Sequence, residues 1–210
     1  MASLGLGRMA LTAFAGSACV ELGNAITTLT MLSIPVYFDD YELKEPTEAE
    51  VIKFENYVGL RGDDLQQLRM LVVDEVSMIS PSLLHHIDMR LRFFLGGKKS
   101  GTERGKRPED TGPFGGLILL AAGDFFQKLA VGSTSLHSAL VLSATNIPDA
   151  KGVLKKKKLK TKGKRPAGQQ VAGASVNGVS LFQGFNRKKL TVQNRFCDDP
   201  HYGDDLTAMR

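Results

Sequence analysis

At 210 residues, 42% apolar and 23% charged, the chain has the length and balance of one ordinary globular domain with its own core. It holds no run near the ~20 apolar residues that cross a bilayer, its opening MASLGLGRMALTAF lacks the shape of a secretory leader, and its two cysteines, Cys19 and Cys197, stand in unrelated contexts, which excludes a disulfide framework or a cysteine-built zinc site and suits a reducing compartment. The net charge of +5 is local: residues 151–165 carry nine Lys/Arg and no acid, and the remainder, 18 Lys/Arg against 22 Asp/Glu, gives no sign of a basic binding face on the fold.

Residues 9–15, MALTAFA, predict a short apolar strand, followed by Gly16-Ser17 and a small-residue segment that ends at Gly23. Residues 26–34 are Thr-rich and apolar, and Pro35 closes them; residues 39–56 are acidic and polar, without a clear period. Residues 63–69 suit a short helix feeding the next strand. Met70 to Val73 is an unalternating apolar run that ends in Asp74-Glu75, and such runs suit a strand buried on both faces of a parallel sheet. Ser80 and Pro81 then open a helix, as N-cap and first position. Leu83, Leu84, Ile87, Leu91 and Phe94 recur at helical spacing until Gly96-Gly97.

Residues 97–113 read as an exposed loop. Residues 117–122, LILLAA, are a second continuous apolar run, ending in Gly123-Asp124, and residues 136–147 form a third apolar element. Residues 149–178, with few large apolar side chains and no period, predict a basic disordered insert. Order resumes near Leu181, with a short strand around Lys189–Val192. The chain thus divides at 1–148, 149–178 and 179–210. Its expected architecture is α/β, with a mostly parallel sheet centred on strands near 9–15, 69–74 and 117–122, and with Asp74 and Asp124 side by side at one edge.

Both later strands deliver carboxylates at their C-terminal ends, where open α/β sheets bind ligands. Nucleotide hydrolysis needs one acid there to hold Mg²⁺, usually through water, and the next to polarise the attacking water. Gln127, three residues beyond Asp124, is placed to sense a γ-phosphate with its amide. Each piece alone is weak: a strand ending in Asp-Glu is usually just a strand reaching solvent, and Gly-Asp is an ordinary turn. His85, His86 and His137 have no further ligand at metal spacing and read as helix residues. The run KKKKLK at 155–160, with KGKR at 162–165, fits a nuclear localisation signal or a phosphate-binding arm, and fits incidental solvated charge equally well.

The surrounding letters resemble a known family. Residues 71–81, LVVDEVSMISP, resemble motif II of the Pif-one-like DNA helicases of superfamily one, a group that includes helitron helicases. Residues 113–127, PFGGLILLAAGDFFQ, resemble that family's motif III region, and residues 82–95 its linking helix, including the stretch Asp88–Arg92. Residues 11–35 are similar to motif Ia and residues 190–199, LTVQNRFCDD, to motif IV. The resemblance implies a partial RecA-like P-loop NTPase domain (1–148), an insert, and the start of a following segment at 179–210. It implies ATP and Mg²⁺ as cofactors, single-stranded or junction DNA as partner, no membrane, and 5′-to-3′ DNA unwinding in repair, recombination and telomere maintenance, in the nucleus and in some relatives the mitochondrion. Asp74 would hold Mg²⁺, Glu75 would activate water, and Asp124 and Gln127 would face the nucleotide. Arg195 would stabilise charge on the phosphate, its plainer reading being a solvated arginine near Asp198 and Asp199. Thr12, Gly16 and Thr27 or Thr28 would lie near the DNA backbone, although strand propensity also accounts for Thr27 and Thr28.

The chain departs from the family pattern in three places. No G-x-x-x-x-G-K-[ST] phosphate loop occurs, since Gly-Lys at 97–98, 105–106 and 163–164 is never followed by Ser or Thr. Motif III continues Gln127-Lys128-Leu129-Ala130-Val131 without the family's two prolines, and Leu29 stands where motif Ia commonly has histidine. The family places its phosphate loop just upstream of motif Ia, where this chain begins, so these 210 residues alone are expected not to hydrolyse ATP at a helicase rate. Two other readings stay open: a non-catalytic DNA- or partner-binding remnant, and a nucleotide-binding fold without a DNA role.

Overall fold

A computed structural model describes residues 8–23, 25–35, 44–96, 111–125, 134–144 and 168–190. Among these residues four strands, β1 (Arg8–Ala13), β2 (Ile26–Thr27), β3 (Leu68–Asp74) and β4 (Ile118–Ala121), form one parallel sheet in the order β2-β1-β3-β4. The expected α/β class and the three expected strands are present. Because every neighbour is parallel, the C-terminal ends of all four strands share one edge.

Among the described residues six α-helices accompany the sheet: α1 (Gly16–Glu21), α2 (Thr28–Met31), α3 (Glu48–Val58), α4 (Pro81–Leu95), α5 (Leu136–Ala144) and α6 (Gly168–Gln183). Residues 26–34 therefore divide between a short strand and α2, while Gly62–Gln67 form a 3-10 helix that leads into β3. The helix read at Ser80-Pro81 is there, and Ser80 Oγ accepts the Leu83 amide at 3.2 Å. Its apolar positions Leu83, Leu84, Ile87, Leu91 and Phe94 enter the core with Leu71, Val73 and Phe54, and the Phe54 and Phe94 rings stack at 4.4 Å.

The structure corrects four expectations. Residues 39–56 are not featureless, because α3 starts at Glu48. Thr47 Oγ1 accepts the Glu50 amide, the Glu50 carboxylate accepts the Thr47 amide, and Gly59 closes the helix at φ 66°. That reciprocal cap is written in the letters T-E-A-E, and it outweighs the weak apolar period.

Residues 168–178 are helical rather than disordered, as part of α6; residues 149–167 lie outside the described residues. Small side chains let α6 lie directly on α4: a Cβ on Gly178 would fall 1.7 Å from the Pro81 carbonyl oxygen. Tertiary contact with α4 holds this segment, and intrinsic propensity is a weak prior beside it. The strand expected at 189–192 is not formed at 189–190, and its remainder is outside the described residues.

Last, the apolar strands are not buried on both faces. The register Met9↔Met70↔Ile118 and Leu11↔Val72↔Leu120 puts these six side chains on one face. Met9, Leu11, Ile118 and Leu120 remain 55, 39, 59 and 52% exposed. Among the described residues only α1 reaches that side, covering Ala13 with Ala18 and Cys19. A continuous apolar run carries no period, so it cannot separate one-sided from two-sided burial.

Candidate functional site

The acidic ends of β3 and β4 are stitched together by backbone. Ala122 donates to the Val73 carbonyl at 2.9 Å, and Val76 donates to the Ala122 carbonyl at 2.8 Å. β1 joins from the other side, with Phe14 donating to the Asp74 carbonyl at 3.1 Å. Gly123 lies against this crossing at φ 151°, where a Cβ would stand 2.8 Å from the Val76 nitrogen. Only glycine fits there, so the Gly123-Asp124 pair is a requirement of close backbone approach and not an ordinary turn. Asp74 and Asp124, both half-buried, are thereby delivered to the same edge of the sheet.

The Asp74 carboxylate is oriented by its own chain: its Oδ1 accepts the Glu75 amide at 2.8 Å. Glu75 follows in the left-handed region, φ 61° and ψ 43°, a conformation that a residue with a Cβ adopts at a cost of about 1–2 kcal/mol. A 3-10 turn over Val76–Met78 then turns the chain into α4. Such strain persists where the surroundings over-determine it and concentrates at functional sites. Here the Val76–Ala122 bond before the turn and the Ser80 cap after it hold the kink in place. Glu75 is half-buried, and its carboxylate makes no hydrogen bond or ion pair among the described residues.

These donors suit Mg²⁺ in one way. No group of three His, Cys, Asp or Glu among the described residues could hold a metal by itself. Asp74, with one oxygen on backbone and the other without a described partner, matches an ion that keeps most of its waters and takes one or two carboxylates.

The threonines divide. Thr12 and Thr28 are 0% exposed; Thr12 Oγ1 donates to the Val72 carbonyl at 3.0 Å, and Thr28 Oγ1 reaches Thr12 Oγ1 at 3.1 Å and the Ala13 carbonyl at 3.3 Å. Their hydroxyls tie α2 to β1 and β3, and both side chains are buried. Gly16 is exposed and Thr27 half-buried, and both sit at strand ends on the carboxylate edge. Thr27 also caps α2, accepting the Thr30 amide at 3.3 Å. Gln127, Arg195 and the basic run lie outside the described residues.

Two features escaped the sequence reading. Ser77, in the turn after Glu75, is fully buried, and its Oγ has no hydrogen-bond partner among the described residues. Burial lowers the His86 pKa to about 4, with His85 and Arg90 adding to the fall, so His86 is neutral at ordinary pH. Neither signal is local, since both depend on what packs around α4. A groove of about 500 Å³ lined by Arg8, Glu55, Gly59 and Asp64 opens at the start of β1, the opposite end from the carboxylates. No described helix is long and apolar enough to cross a membrane.

The chain is similar to several known proteins. The ATP-dependent DNA helicase Pif1 of Psychrobacter sp. (strain PRwf-1) is 30% identical over 125 residues, covering 60% of this chain and 16% of that protein. The Bacteroides Pif1 helicase solved with ADP-AlF3 and single-stranded DNA is 25% identical, covers 66% of this chain and 27% of that one, and superposes with a TM-score of 0.40. The Candida albicans Pif1 helicase is 24% identical, covers 59% of this chain and 23% of that one, and has a TM-score of 0.37. The chain therefore spans about a sixth of the curated relative and a quarter of the solved ones. The sequence model of the PIF1-like helicase family matches residues 7–161, most of the chain, and the chain belongs to that family.

Proposed function

We infer that this segment supplies the acidic half of an ATP-hydrolysing site in a DNA helicase, a partial RecA-like domain. The observation that carries it is Glu75 held in a left-handed kink directly after the oriented Asp74, at the edge shared with Asp124. In that role Asp74 would hold Mg²⁺, and the ion would supply charge neutralisation at the phosphates. Glu75 accepts a proton from the attacking water, and its unpartnered carboxylate is available for that. Gln127 and Arg195 complete the phosphate side, while Gly16 and Thr27 offer backbone and hydroxyl donors to a single DNA strand. Unwinding in the 5′-to-3′ direction, service in repair, recombination and telomere maintenance, and a nuclear location form part of the same proposal.

The 210 residues contain no G-x-x-x-x-G-K-[ST], so the groups that cradle the β- and γ-phosphates are not among them. That observation favours a second reading, a remnant that binds DNA or a partner without turnover. Titration with a fluorescent ADP analogue, with and without Mg²⁺, separates the two. Mg²⁺-dependent binding weakened by Asp74→Asn supports the nucleotide site. Single-stranded DNA binding without any nucleotide binding supports the remnant and sinks the first reading. DNA-stimulated turnover by the 210 residues, abolished in Glu75→Gln, would show that the carboxylates suffice without the loop.

A further inference from the structure

The residues from Leu117 to Ala122 are all apolar, so their pattern does not say which side chains of β4 face the core. Ile118 and Leu120 are exposed, and Leu119 and Ala121 are only half-buried, so burial alone would hold a slipped register nearly as well. The register matters, because a slip of one residue moves Asp124 by about 3.3 Å along the strand and turns it to the other face. A four-residue strand with so little buried surface needs an anchor outside itself.

The turn that feeds β4 has that anchor. Phe114, Gly115 and Gly116 all have positive φ, at 56, 68 and 83°. Phe114 is buried, and its amide donates to Asp88 Oδ1 at 2.5 Å. Asp88, itself buried on α4, also accepts Arg92 Nε on both oxygens, at 3.0 and 2.9 Å. Arg92 Nη1 reaches across to the Thr111 carbonyl at 2.9 Å, and a Cβ on Gly115 would lie 2.8 Å from the Leu91 carbonyl oxygen. The turn is thus seated on the backbone of α4. The same helix begins at Pro81, a few residues after Glu75. One rigid element therefore starts at the acidic end of β3 and grips the entrance to β4.

The geometry points to Asp88 as a positioning residue: by holding the left-handed Phe114–Gly116 turn against α4, it sets the register of β4 on β3 and so places Asp124 beside Asp74 and Glu75. This rests on the proposed nucleotide site for its consequence, but not for its structural content. The test uses the full chain carrying Asp88→Asn, with Leu83→Ala as a control that weakens α4 away from the turn. Backbone hydrogen exchange at Ala122 and Val76, whose amides form the crossing between the strands, should rise about tenfold in Asp88→Asn while the amides of the β1–β3 ladder stay near their parent rates. Leu83→Ala should speed both sets together. Mg²⁺-dependent binding of the fluorescent ADP analogue should fall about tenfold in Asp88→Asn, should hold in Leu83→Ala, and should return in part with Asp88→Glu. Arg92→Lys keeps the charge, loses the paired contact and should fall between, which keeps the test open if Asp88→Asn does not fold. Exchange at Ala122 and Val76 equal to the parent, or matched by Leu83→Ala, overturns the assignment. A parent chain that binds no nucleotide sinks the proposed function and leaves the exchange result to decide this one.

Discussion

Glu75 offers the sharpest test of whether a functional strain is stored at the end of β3. At φ 61° and ψ 43° its Cβ crowds the neighbouring backbone, at a cost of about 1–2 kcal/mol, and glycine has no such penalty. Glycine also loses more freedom on folding, by roughly 0.5–1 kcal/mol. The difference predicts that Glu75→Gly stabilises the fold by about 0.5–1 kcal/mol, a rise of roughly 1–4 °C in Tm for a chain of this size. Glu75→Ala keeps the Cβ and should leave stability near the parent value. Glu75→Asn, whose side chain tolerates the left-handed region, should fall between. Chemical and thermal denaturation of the four proteins in one buffer reads the order directly. On the proposed function, Glu75→Gly keeps Mg²⁺-dependent nucleotide binding and cannot activate water, so stability rises as chemistry is lost. A Glu75→Gly chain less stable than Glu75→Ala would refute the reasoning, because it would show that the left-handed backbone costs a Cβ-bearing residue less than glycine's extra freedom in the unfolded chain.

Other outcomes follow from particular contacts. The His86 pKa, lowered by burial to about 4 from 6.5, means that the unfolded chain binds the proton more tightly. Stability is then full above pH 6.5 and falls as pH drops toward 4, by up to about 3 kcal/mol, and His86→Gln should flatten that fall in denaturation curves taken across the range. Thr28→Val keeps the shape but removes a buried hydroxyl that bonds Thr12 and the Ala13 carbonyl, and should cost about 1–2 kcal/mol by urea unfolding. Gly178→Ala places a methyl inside contact distance of the Pro81 carbonyl, so α6 must shift away from α4; faster hydrogen exchange along 175–183, with β1 and β3 unaffected, is the expected readout. Phe54→Ala breaks the stack on Phe94 in the core and should cost about 3–5 kcal/mol.

Much of the frame was legible because its signals are local. Ser80-Pro81 with the spacing of Leu83, Ile87 and Leu91 marked α4, and the unbroken runs at 70–73 and 117–122 marked two parallel strands with acids at their ends. The cap Thr47-x-x-Glu50 was equally local and readable, but the charged residues around it hid α3. α6 could not be read at all, since small residues such as Gly178 suit a helix only when α4 lies against them.

The sequence by itself determined the parallel α/β class, the acids that end each apolar run, and the family likeness, all of which are written in short stretches of neighbouring residues. The tertiary structure alone decided that Thr12 and Thr28 face inward, that among the described residues one face of the sheet is left open at Met9, Leu11, Ile118 and Leu120, and that Glu75 is left-handed. Thr12 meets its acceptor Val72 across 60 residues, and Val76 meets Ala122 across the end of a different strand. Burial and backbone strain are set by such distant partners, and a run of apolar letters carries no record of which of its sides they will cover.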